Sequence, residues 1–423
     1  MRIAIIGSGI SGNVAAYHLH KAHDITVFEA NDHIGGHTHT HAIETVAGET
    51  INVDTGFIVF NDWTYPNFIA LLDELGVKSN ATEMSFSVKC ESSGLEYNGN
   101  TLNSLFAQRS NLISPRFYRM VRDILRFNRE GHAFIKQTQV SQLSLGDFLE
   151  QGNYSDIFIR KYIVPMGAAI WSAKPEVMFS FPAQFFLRFF ANHGLLSVND
   201  RPQWRVIDGG SNSYVGPLIA GFKDNIRTSS PVQSIERLEG VSDGGVQISS
   251  EKYGTEHYDY VFIATHSDQA LKLLAHPTAE ERNVLGAIPY QDNQIILHTD
   301  TKVLPKRKLA WAAWNYHITQ QEQERVAVTY DMNILQGFTT PETWCVTLND
   351  SGTIDHSKII KTLNYQHPIF TPAAVSAQSQ QRAINGVQRT YYCGAYWRNG
   401  FHEDGVVSAL NAVEHFKQDL QHA

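Results

Sequence analysis

Short apolar runs alternate with helical stretches at both ends of the chain. Continuous apolar residues at Ile3–Ile6 and Ile25–Phe28 predict two buried strands with a helix between them. Strands are also predicted over 226–235 and 258–265, and the second of these is of the buried, parallel type. This alternation indicates an α/β fold with a parallel sheet.

The middle of the chain follows a different pattern. Helical periodicity predicts helices over 66–75, with Gly76 as the C-terminal stop, and over 115–137. Alternating apolar and polar residues within 290–350 predict an antiparallel sheet. The two patterns therefore interleave along the chain.

A glycine motif follows the first predicted strand. The strand leads into Gly7-Ser8-Gly9-Ile10-Ser11-Gly12. Gly7 permits the tight turn, Gly9 allows backbone to approach a pyrophosphate, and Gly12 allows a helix to pack on the strand. The second run ends at Glu29, at the distance expected for a carboxylate that binds ribose hydroxyls. These spacings predict a dinucleotide-binding unit.

A second glycine pair lies six residues after this carboxylate. The residues concerned are Glu29-Ala30, Gly35-Gly36-His37-Thr38 and, further on, Gly56-Phe57. This arrangement resembles the flavin-binding opening of the amine oxidase, phytoene desaturase and protoporphyrinogen oxidase superfamily. The doublet in that superfamily is usually followed by Arg, whereas His37 stands here. The resemblance implies FAD as the cofactor.

The end of the chain resembles the closing FAD motif of the same superfamily. Gly394 follows a predicted strand, and Glu403, Asp404, Gly405 and Val406 open an apolar-periodic helix. The resemblance implies that this helix points its N-terminus at the flavin pyrimidine ring, where its partial positive charge stabilises the reduced form. Gly405 would permit the close approach. The carboxylates would accept hydrogen bonds from ribityl hydroxyls or backbone donors.

The resemblance also implies a discontinuous, Rossmann-like FAD-binding domain interleaved with a substrate domain. Residues 1–62, 205–275 and 385–423 are assigned to the FAD-binding domain. Residues 63–204 and 276–384 are assigned to the substrate-binding domain, made of helices and an antiparallel sheet. Val232 is implied to place its backbone against adenine.

Segments 54–61, 264–270 and 400–405 resemble one bacterial branch of predicted NAD/FAD-binding proteins. That branch is associated with fatty-acid cyclopropanation and methylation, and some members desaturate methyl-branched acyl chains. The resemblance therefore implies an FAD-dependent oxidoreductase that takes a hydride from an apolar substrate, such as a methyl-branched or unsaturated acyl lipid. One alternative is an amine oxidase, with Lys306 or Lys308 near the flavin. Another is a non-catalytic flavoprotein partner of a lipid-modifying enzyme.

Five side chains are candidates for the chemistry of this hydride transfer. His266 and His402 are candidate proton acceptors, and Trp171, Tyr396 and Trp397 are candidate walls of the substrate cavity. The sequence shows no nucleophile elbow and no catalytic cysteine motif. The cofactor would therefore carry the redox chemistry, and the protein would orient the substrate and exclude water.

Each of three sequence patterns allows two interpretations. The phenylalanine-rich segment 179–190 predicts either a core helix or a hydrophobic substrate tunnel. The arginines between 116 and 129 predict either a solvated face with ion pairs or a surface for lipid phosphates. Alternating histidines at 37, 39 and 41 suit a strand that lines the flavin site better than a metal site, so no metal is predicted.

Composition and charge narrow the class of protein. The 423 residues are 43% hydrophobic and carry a net charge of −8, which excludes a general nucleic-acid binder. No apolar tract reaches the roughly 18 residues of a membrane span, and a core strand begins at once where a signal peptide would lie. Cys90, Cys345 and Cys393 are widely spaced and suit free thiols. We therefore expect a cytoplasmic protein, with peripheral contact to the inner membrane as an alternative.

Overall fold

A computed structural model describes residues 1–137, 143–171, 173–238, 244–319 and 327–422. Ser172, at the end of the apolar stretch before the phenylalanine-rich segment, lies outside this part of the chain. The strands of the described residues are, in chain order, β1 Arg2–Ile6, β2 Asp24–Phe28, β3 Thr40–Glu44, β4 Thr50–Asp54, β5 Phe60–Asn61, β6 Ser79–Thr82, β7 Phe86–Cys90, β8 Glu96–Asn98, β9 Trp204–Ile207, β10 Ile226–Arg227, β11 Val232–Leu238, β12 Gly245–Ser250, β13 Gly254–Tyr258, β14 Tyr260–Ile263, β15 Tyr290–His298, β16 Trp314–Ile318, β17 Ala327–Asp331, β18 Cys345–Leu348, β19 Ile359–Pro368 and β20 Thr390–Tyr392.

Helices of very different lengths connect these strands. The α-helices of the same residues are α1 Ile10–Leu19, α2 Pro66–Leu75, α3 Leu102–Leu105, α4 Pro115–Ile135, α5 Leu145–Gln151, α6 Asp156–Phe158, α7 Val164–Trp171, α8 Pro175–Met178, α9 Ala183–Asn192, α10 Val215–Ile219, α11 Ser267–Leu273, α12 Ala279–Leu285, α13 Met332–Gln336, α14 Pro372–Gln378, α15 Gln381–Ile384 and α16 His402–His422. A π-helical turn at Ile159–Ile163 joins α6 to α7. Turns of 3-10 helix lie at Arg109–Ile113, Ser211–Tyr214, Lys223–Asn225, Thr301–Val303, Lys308–Ala310, His356–Lys358, Val387–Arg389 and Ala395–Trp397.

A five-stranded parallel sheet organises the two ends of the chain. Its order is β10-β2-β1-β14-β20, with Ile3 opposite both Ile25 and Tyr260. One face of this sheet packs on α1 and α16, and the other packs on α11, α12 and the antiparallel ribbon β11-β12-β13. This arrangement confirms the predicted α/β class.

A seven-stranded sheet occupies the part of the chain where an antiparallel sheet was predicted. Its order is β19-β15-β18-β17-β16-β7-β8. All neighbours are antiparallel except β16 and β7, which run parallel. The sheet is therefore wider than the prediction, because β7 and β8 join it from much earlier in the sequence.

The strand predicted over 226–235 is wrong as a single element. It divides into β10, which pairs with β2, and β11, which pairs with β12 in another sheet. Ser229 has a φ of +48° and Pro231 lacks a backbone N–H, so neither suits a continuous strand. The two halves are consequently free to enter different sheets.

The helices of the middle region surround an aromatic core. α4 buries Phe117, Met120 and Phe127 on one face, and Ser114 caps its start through the backbone N–H of Phe117. The phenylalanine-rich segment forms α9, which buries Phe186 and Phe190 against the same core. The core-helix interpretation of that segment is thus confirmed. α4 ends at Ile135, two residues before the predicted end.

A small sheet of order β5-β9-β6 lies where the chain passes between the two regions. It pairs residues 60–61 and 79–82 with residues 204–207. The predicted domain boundaries near residues 62 and 205 lie at the strands of this sheet. The division into two domains stays a prediction. Within the described residues, no helix is long and apolar enough to cross a bilayer.

Candidate active site

Glycine backbone sets the shape of the turn between β1 and α1. Gly7 has a φ of +100°, which favours glycine. A Cβ atom at Gly12 would lie 1.9 Å from the carbonyl oxygen of Gly7, so α1 packs on the strand only because Gly12 has no side chain. A Cβ atom at Gly9, in contrast, would meet nothing within 4 Å. The turn therefore leaves open space in front of the uncapped N-terminus of α1, where an anion is favoured.

Glu29 lies where it was predicted, buried at the end of β2 beside this turn. Its Oε2 accepts hydrogen bonds from Ser8 N at 2.9 Å and Ser8 Oγ at 2.7 Å. Its Oε1 accepts from Asn31 N at 2.8 Å. Ala30, which follows it, is exposed. The carboxylate is held rigidly by backbone and hydroxyl donors, and Asn31 is a contributor that the sequence analysis missed.

The second glycine pair packs directly on the first motif. Gly35 N donates to Ser8 O at 3.0 Å, and a Cβ atom at Gly36 would lie 3.0 Å from Gly9 Cα. Gly56 is equally restricted, because a Cβ atom there would lie 2.1 Å from His37 O. The three glycine positions therefore form one continuous backbone surface, which we call the glycine cradle (residues 7–12, 35–36 and 56).

Val232 reaches the same edge of the parallel sheet. Ser230 N donates to Glu29 O at 2.8 Å, and Val232 begins β11 two residues later. The structure therefore brings the residue implied for adenine close to the residue implied for ribose. Both roles stay predictions.

The start of α16 packs against α1. A Cβ atom at Gly405 would lie 2.6 Å from Ile10 Cγ2, and Ser11 Oγ donates to Gly405 O at 2.9 Å. The close approach that Gly405 makes in the structure is thus to the neighbouring helix. Val406 is buried behind it, and Gly394 lies against the Tyr396 ring at the end of β20.

The two predicted carboxylates of α16 accept hydrogen bonds from backbone donors. Glu403 Oε2 accepts from Phe68 N at 2.8 Å and Glu403 Oε1 from Asn67 N at 3.1 Å, so it caps α2. Asp404 Oδ2 accepts from Phe401 N at 2.9 Å. Burial raises the pKa of Asp404 to about 6. Both groups hold the backbone around the N-terminus of α16.

A cluster of histidines adjoins the glycine cradle. The His37 ring lies 6.0 Å from that of His266, 5.8 Å from that of His367 and 4.9 Å from that of Tyr365, measured between centroids. Burial is the main cause that lowers the pKa of His37 and of His266, and it lowers the pKa of His367 to about 4. These imidazoles are therefore neutral at pH 7.

Two nitrogen atoms of this cluster are buried without a hydrogen-bond partner among the described residues. They are His37 Nε2 and His266 Nδ1. Buried polar atoms are rarely left unpaired in native proteins, because each unpaired atom costs about 1–3 kcal/mol. A polar ligand beside the glycine cradle would satisfy them. Where the resembled superfamily usually has an Arg after the glycine doublet, this chain has the neutral His37, which can donate or accept a hydrogen bond.

His402 is fixed by its neighbours at the first residue of α16. Its ring stacks on Phe57 with centroids 3.7 Å apart, and its Nε2 lies 2.8 Å from the Tyr214 hydroxyl. That hydroxyl also lies 2.7 Å from Thr38 Oγ1. Burial lowers the pKa of His402 to about 3, which makes it a weak base in the resting protein. Tyr214 is a further residue that the sequence analysis missed.

The structure divides the three predicted wall residues between two cores. Trp171 ends α7 and packs with Phe181 and Phe189, with centroids 5.1 and 4.7 Å away. Tyr396 and Trp397 lie in the turn after β20 and pack beneath the parallel sheet. Trp171 thus packs apart from Tyr396 and Trp397, and the role of the three residues as walls of the substrate cavity stays a prediction.

The lysines considered for an amine oxidase lie elsewhere. Lys306 and Lys308 are exposed on a loop, where Lys306 N donates to Glu96 and Lys308 lies over the Trp311 ring. The contact with Glu96 holds this loop beside the edge strand β8. The charged Lys-Arg-Lys sequence explains this outcome, since three adjacent cations favour solvent.

The comparison with known proteins decides the family. Residues 10–350 match the family described as flavin containing amine oxidoreductase. The chain belongs to this family. It is therefore a flavoprotein whose cofactor is FAD, and it is an FAD-dependent oxidoreductase.

Solved structures of this family's fold cover almost the whole chain. Cyclohexylamine oxidase from Brevibacterium oxydans IH-35A aligns with a TM-score of 0.70, 15% identity and 99% coverage of both chains. A putative protoporphyrinogen oxidase from Exiguobacterium sp. 255-15 gives 0.69, 16% and 99% of both chains. A CLA-producing fatty acid isomerase from P. acnes gives 0.67, 16% and 98% of both chains. At these identities the likeness shows the fold alone.

Among curated proteins, a probable flavin-containing monooxygenase 1 from Arabidopsis thaliana is 40% identical over 80 residues. The match spans 18% of this chain and 15% of the plant protein. It is therefore a local match and says nothing about substrate.

The residues at the site fit FAD. The glycine cradle leaves space for a diphosphate at Gly9, and Glu29 lies at the adjoining strand end. The unpaired nitrogen atoms of His37 and His266 provide polar contacts beside it. No group of three or more metal-ligating side chains is found among the described residues.

Proposed function

We propose that this FAD-dependent oxidoreductase takes a hydride from an apolar substrate, a methyl-branched or unsaturated fatty acyl lipid. The observation that carries the proposal is a row of aromatic side chains that leads to the start of α16. The Trp171 and Phe189 rings lie 4.7 Å apart, and Phe189 stacks on Phe401 at 5.2 Å. Phe401 directly precedes His402, which stacks on Phe57 beside the glycine cradle.

Charge supports the same class of substrate. Histidines beside the cradle are neutral at pH 7, because burial lowers the pKa values of His37, His367 and His402. A neutral acyl chain can be desolvated beside such residues at little cost, whereas an ammonium group would lose its hydration without gaining a counter-ion there. The substrate class implied by the bacterial branch is thus chemically compatible with this cluster.

The glycine cradle and Glu29 would hold FAD, which would supply the hydride acceptor. The chain's own residues orient and enclose the reactants. Tyr214 and Phe57 hold the His402 ring, and the aromatic row would provide apolar contacts for a substrate beside it. His266 and His402 stay the candidate proton acceptors. His266 Nδ1 has no hydrogen-bond partner within the described residues, whereas His402 Nε2 already bonds the Tyr214 hydroxyl. His266 is therefore the preferred proton acceptor.

A second candidate, oxidation of an amine, is supported by a cleft next to α16. The cleft has a volume of about 520 Å³ and is lined by residues that include Trp63, Tyr65, Glu403 and Asp404. Aromatic rings and carboxylates together suit an organic cation. Both carboxylates, however, already accept backbone hydrogen bonds, so the acyl substrate is preferred.

The test is anaerobic titration of the flavin-loaded protein with phospholipids that carry monounsaturated or methyl-branched acyl chains. We expect the oxidised-flavin absorption band to bleach with these lipids and to stay unchanged with polyamines or aromatic amines. Bleaching by amines alone would replace the proposal with the amine oxidase. Bleaching by neither class would favour a non-catalytic flavoprotein.

A pair of variants locates the substrate on the aromatic row. Phe401→Ser should raise KM for the lipid about tenfold, since it removes apolar contact area beside His402. Phe179→Ser, at an exposed phenylalanine outside the row, is the matched control and should leave KM unchanged. Equal effects of the two variants would contradict the assignment.

A further inference from the structure

The outward face of α4 combines exposed arginines with exposed apolar side chains. Tyr118, Arg122, Leu125 and Arg129 are spaced by four, three and four residues, which places them on one side of the helix. Arg119 lies beside them. Tyr118 is 49% exposed and Leu125 is 54% exposed, although a solvated helix face normally carries polar residues at such positions.

The apolar part of this face extends beyond the helix. Leu112 and Ile113 end the 3-10 turn before α4, and Ile113 is 85% exposed. The Tyr118 hydroxyl donates to Leu112 O at 3.0 Å, which fixes the turn against the first part of the helix. We call Leu112, Ile113, Tyr118, Arg119, Arg122 and Leu125 the α4 face.

The acidic residues of α4 do not neutralise this face. Asp123 is buried and accepts from Ser155 N at 2.9 Å. Glu130 accepts from the Tyr154 hydroxyl at 2.5 Å. Asp123 thus binds a group on the protein side of the helix, whereas Glu130 binds Tyr154 and also pairs with Arg129 at 3.7 Å, which leaves Arg119 and Arg122 unaffected. Arg126 also turns to the protein side, since it lies over the Tyr154 ring and pairs with Asp123.

The arginines at the centre of the face are left without partners. Within the described residues, neither Arg119 nor Arg122 takes part in an ion pair or a hydrogen bond. The protein as a whole carries a net charge of −8, so this patch is a local exception to its charge. Unpaired guanidinium groups beside exposed aliphatic side chains match the chemistry of a lipid interface, where phosphates lie next to acyl chains.

We propose that the α4 face docks the protein on an anionic lipid bilayer, with Ile113, Leu112 and Leu125 entering the headgroup boundary and Arg119 and Arg122 binding lipid phosphates. The opposite side of α4 packs in the aromatic core that also contains Trp171 and Phe189. Docking would therefore place that core next to the membrane. The proposal concerns binding only, so it does not depend on the acyl substrate.

Co-sedimentation of the flavin-loaded protein with vesicles tests the proposal. We expect binding to vesicles of phosphatidylglycerol and phosphatidylcholine, a decrease at high salt, and little binding to pure phosphatidylcholine. Each arginine near an anionic surface contributes about 1 kcal/mol, so Arg119→Gln with Arg122→Gln should lower the partition coefficient at least tenfold. Ile113→Ser should lower it by a similar factor, because an inserted aliphatic side chain is lost.

Matched controls separate the α4 face from the rest of the surface. Val46 is also 85% exposed, so Val46→Ser should leave vesicle binding unchanged. Lys78→Gln with Lys223→Gln removes two exposed cations elsewhere and should have little effect. Flavin content and far-UV circular dichroism report whether each variant is folded.

Three outcomes would overturn the proposal. The first is no binding of the wild-type protein to anionic vesicles. The second is an equal loss in Val46→Ser and Ile113→Ser. The third is a wild-type dimer in analytical ultracentrifugation that Ile113→Ser converts to a monomer without changing vesicle binding, because the face would then be an interface between copies of the chain.

Discussion

The glycine cradle and the histidine cluster beside it are held together in different ways. In the cradle, the backbone of Gly7, Gly12 and Gly36 meets other backbone, and almost no side chain takes part. In the cluster, His37 and His367 come from segments more than three hundred positions apart, and their shape depends on side-chain stacking, hydrogen bonds and charge. The shape of a site made of backbone is sensitive to the volume of any added side chain, whereas the charge of a site made of imidazoles also changes with pH.

The largest expected effect breaks the cradle. Gly12→Ala introduces a Cβ atom 1.9 Å from Gly7 O, and because this neighbour is backbone, no side-chain rotation can relieve the clash. We expect the flavin content of the purified protein, read as the ratio of flavin to protein absorbance, to fall below about a tenth of the wild-type value.

Gly216→Ala is the matched control for this variant, because a Cβ atom there would meet nothing within 4 Å and the residue lies within the helix α10. Alanine is favoured over glycine inside a helix, so flavin content should be unchanged. Full flavin content in Gly12→Ala would contradict the prediction, because it would show that the cradle backbone can shift to accept the added Cβ atom.

A smaller effect separates the cluster from the cradle through pH. Burial lowers the pKa of His367 to about 4, with a further contribution from His266. The unfolded chain binds a proton at this residue below about pH 6.5 and the folded protein does not, so stability is lost as the pH falls from 6.5 towards 4. For His367 the loss is on the order of 2 kcal/mol by pH 5.

Three buried carboxyl groups act in the opposite direction. Burial raises the pKa of Asp54, Asp331 and Asp404 to about 6, so their protonation favours the folded state as the pH falls below 6. The decisive measurement is therefore a difference: the free energy of unfolding of the wild-type protein and of His367→Asn, each at pH 7.5 and pH 5. The variant should lose less stability on acidification, and identical losses would contradict the assigned pKa.

The smallest effect tests the link between the two regions. Tyr214→Phe removes the hydroxyl that contacts both His402 Nε2 and Thr38 Oγ1. A buried nitrogen left without a partner costs about 1–3 kcal/mol, which denaturant unfolding measures. Tyr253→Phe, at an exposed tyrosine whose hydroxyl makes no hydrogen bond among the described residues, should cost less than about 0.5 kcal/mol. If the two variants were equally stable, the Tyr214 hydroxyl would not hold His402.

The difference between a site built from local backbone and one built from distant side chains also explains which features the sequence could predict. The positions of Gly7, Gly12 and Glu29 follow from local spacing, because steric limits act over a few residues. The helix Pro66–Leu75 with its stop at Gly76 was likewise predicted correctly. Local rules of turn, cap and periodicity are sufficient for such elements.

Residues brought together from distant segments could not be found in that way. Tyr214 meets His402 across 188 positions, and Asn293 meets His367 across 74. No spacing in the sequence announces such pairs, since side-chain packing in the folded state creates them. For the same reason the sequence could not indicate that Trp171 packs in one core and that Tyr396 and Trp397 pack in another.

The hydrogen bond between Ser11 and Gly405 spans 394 positions of the chain. On a ribosome, α1 emerges long before the helix that packs against it. The nascent chain therefore carries the whole glycine cradle through most of its synthesis, while the side of α1 that packs against α16 is still uncovered. A chaperone therefore has its longest time of action on the earliest segment to be made.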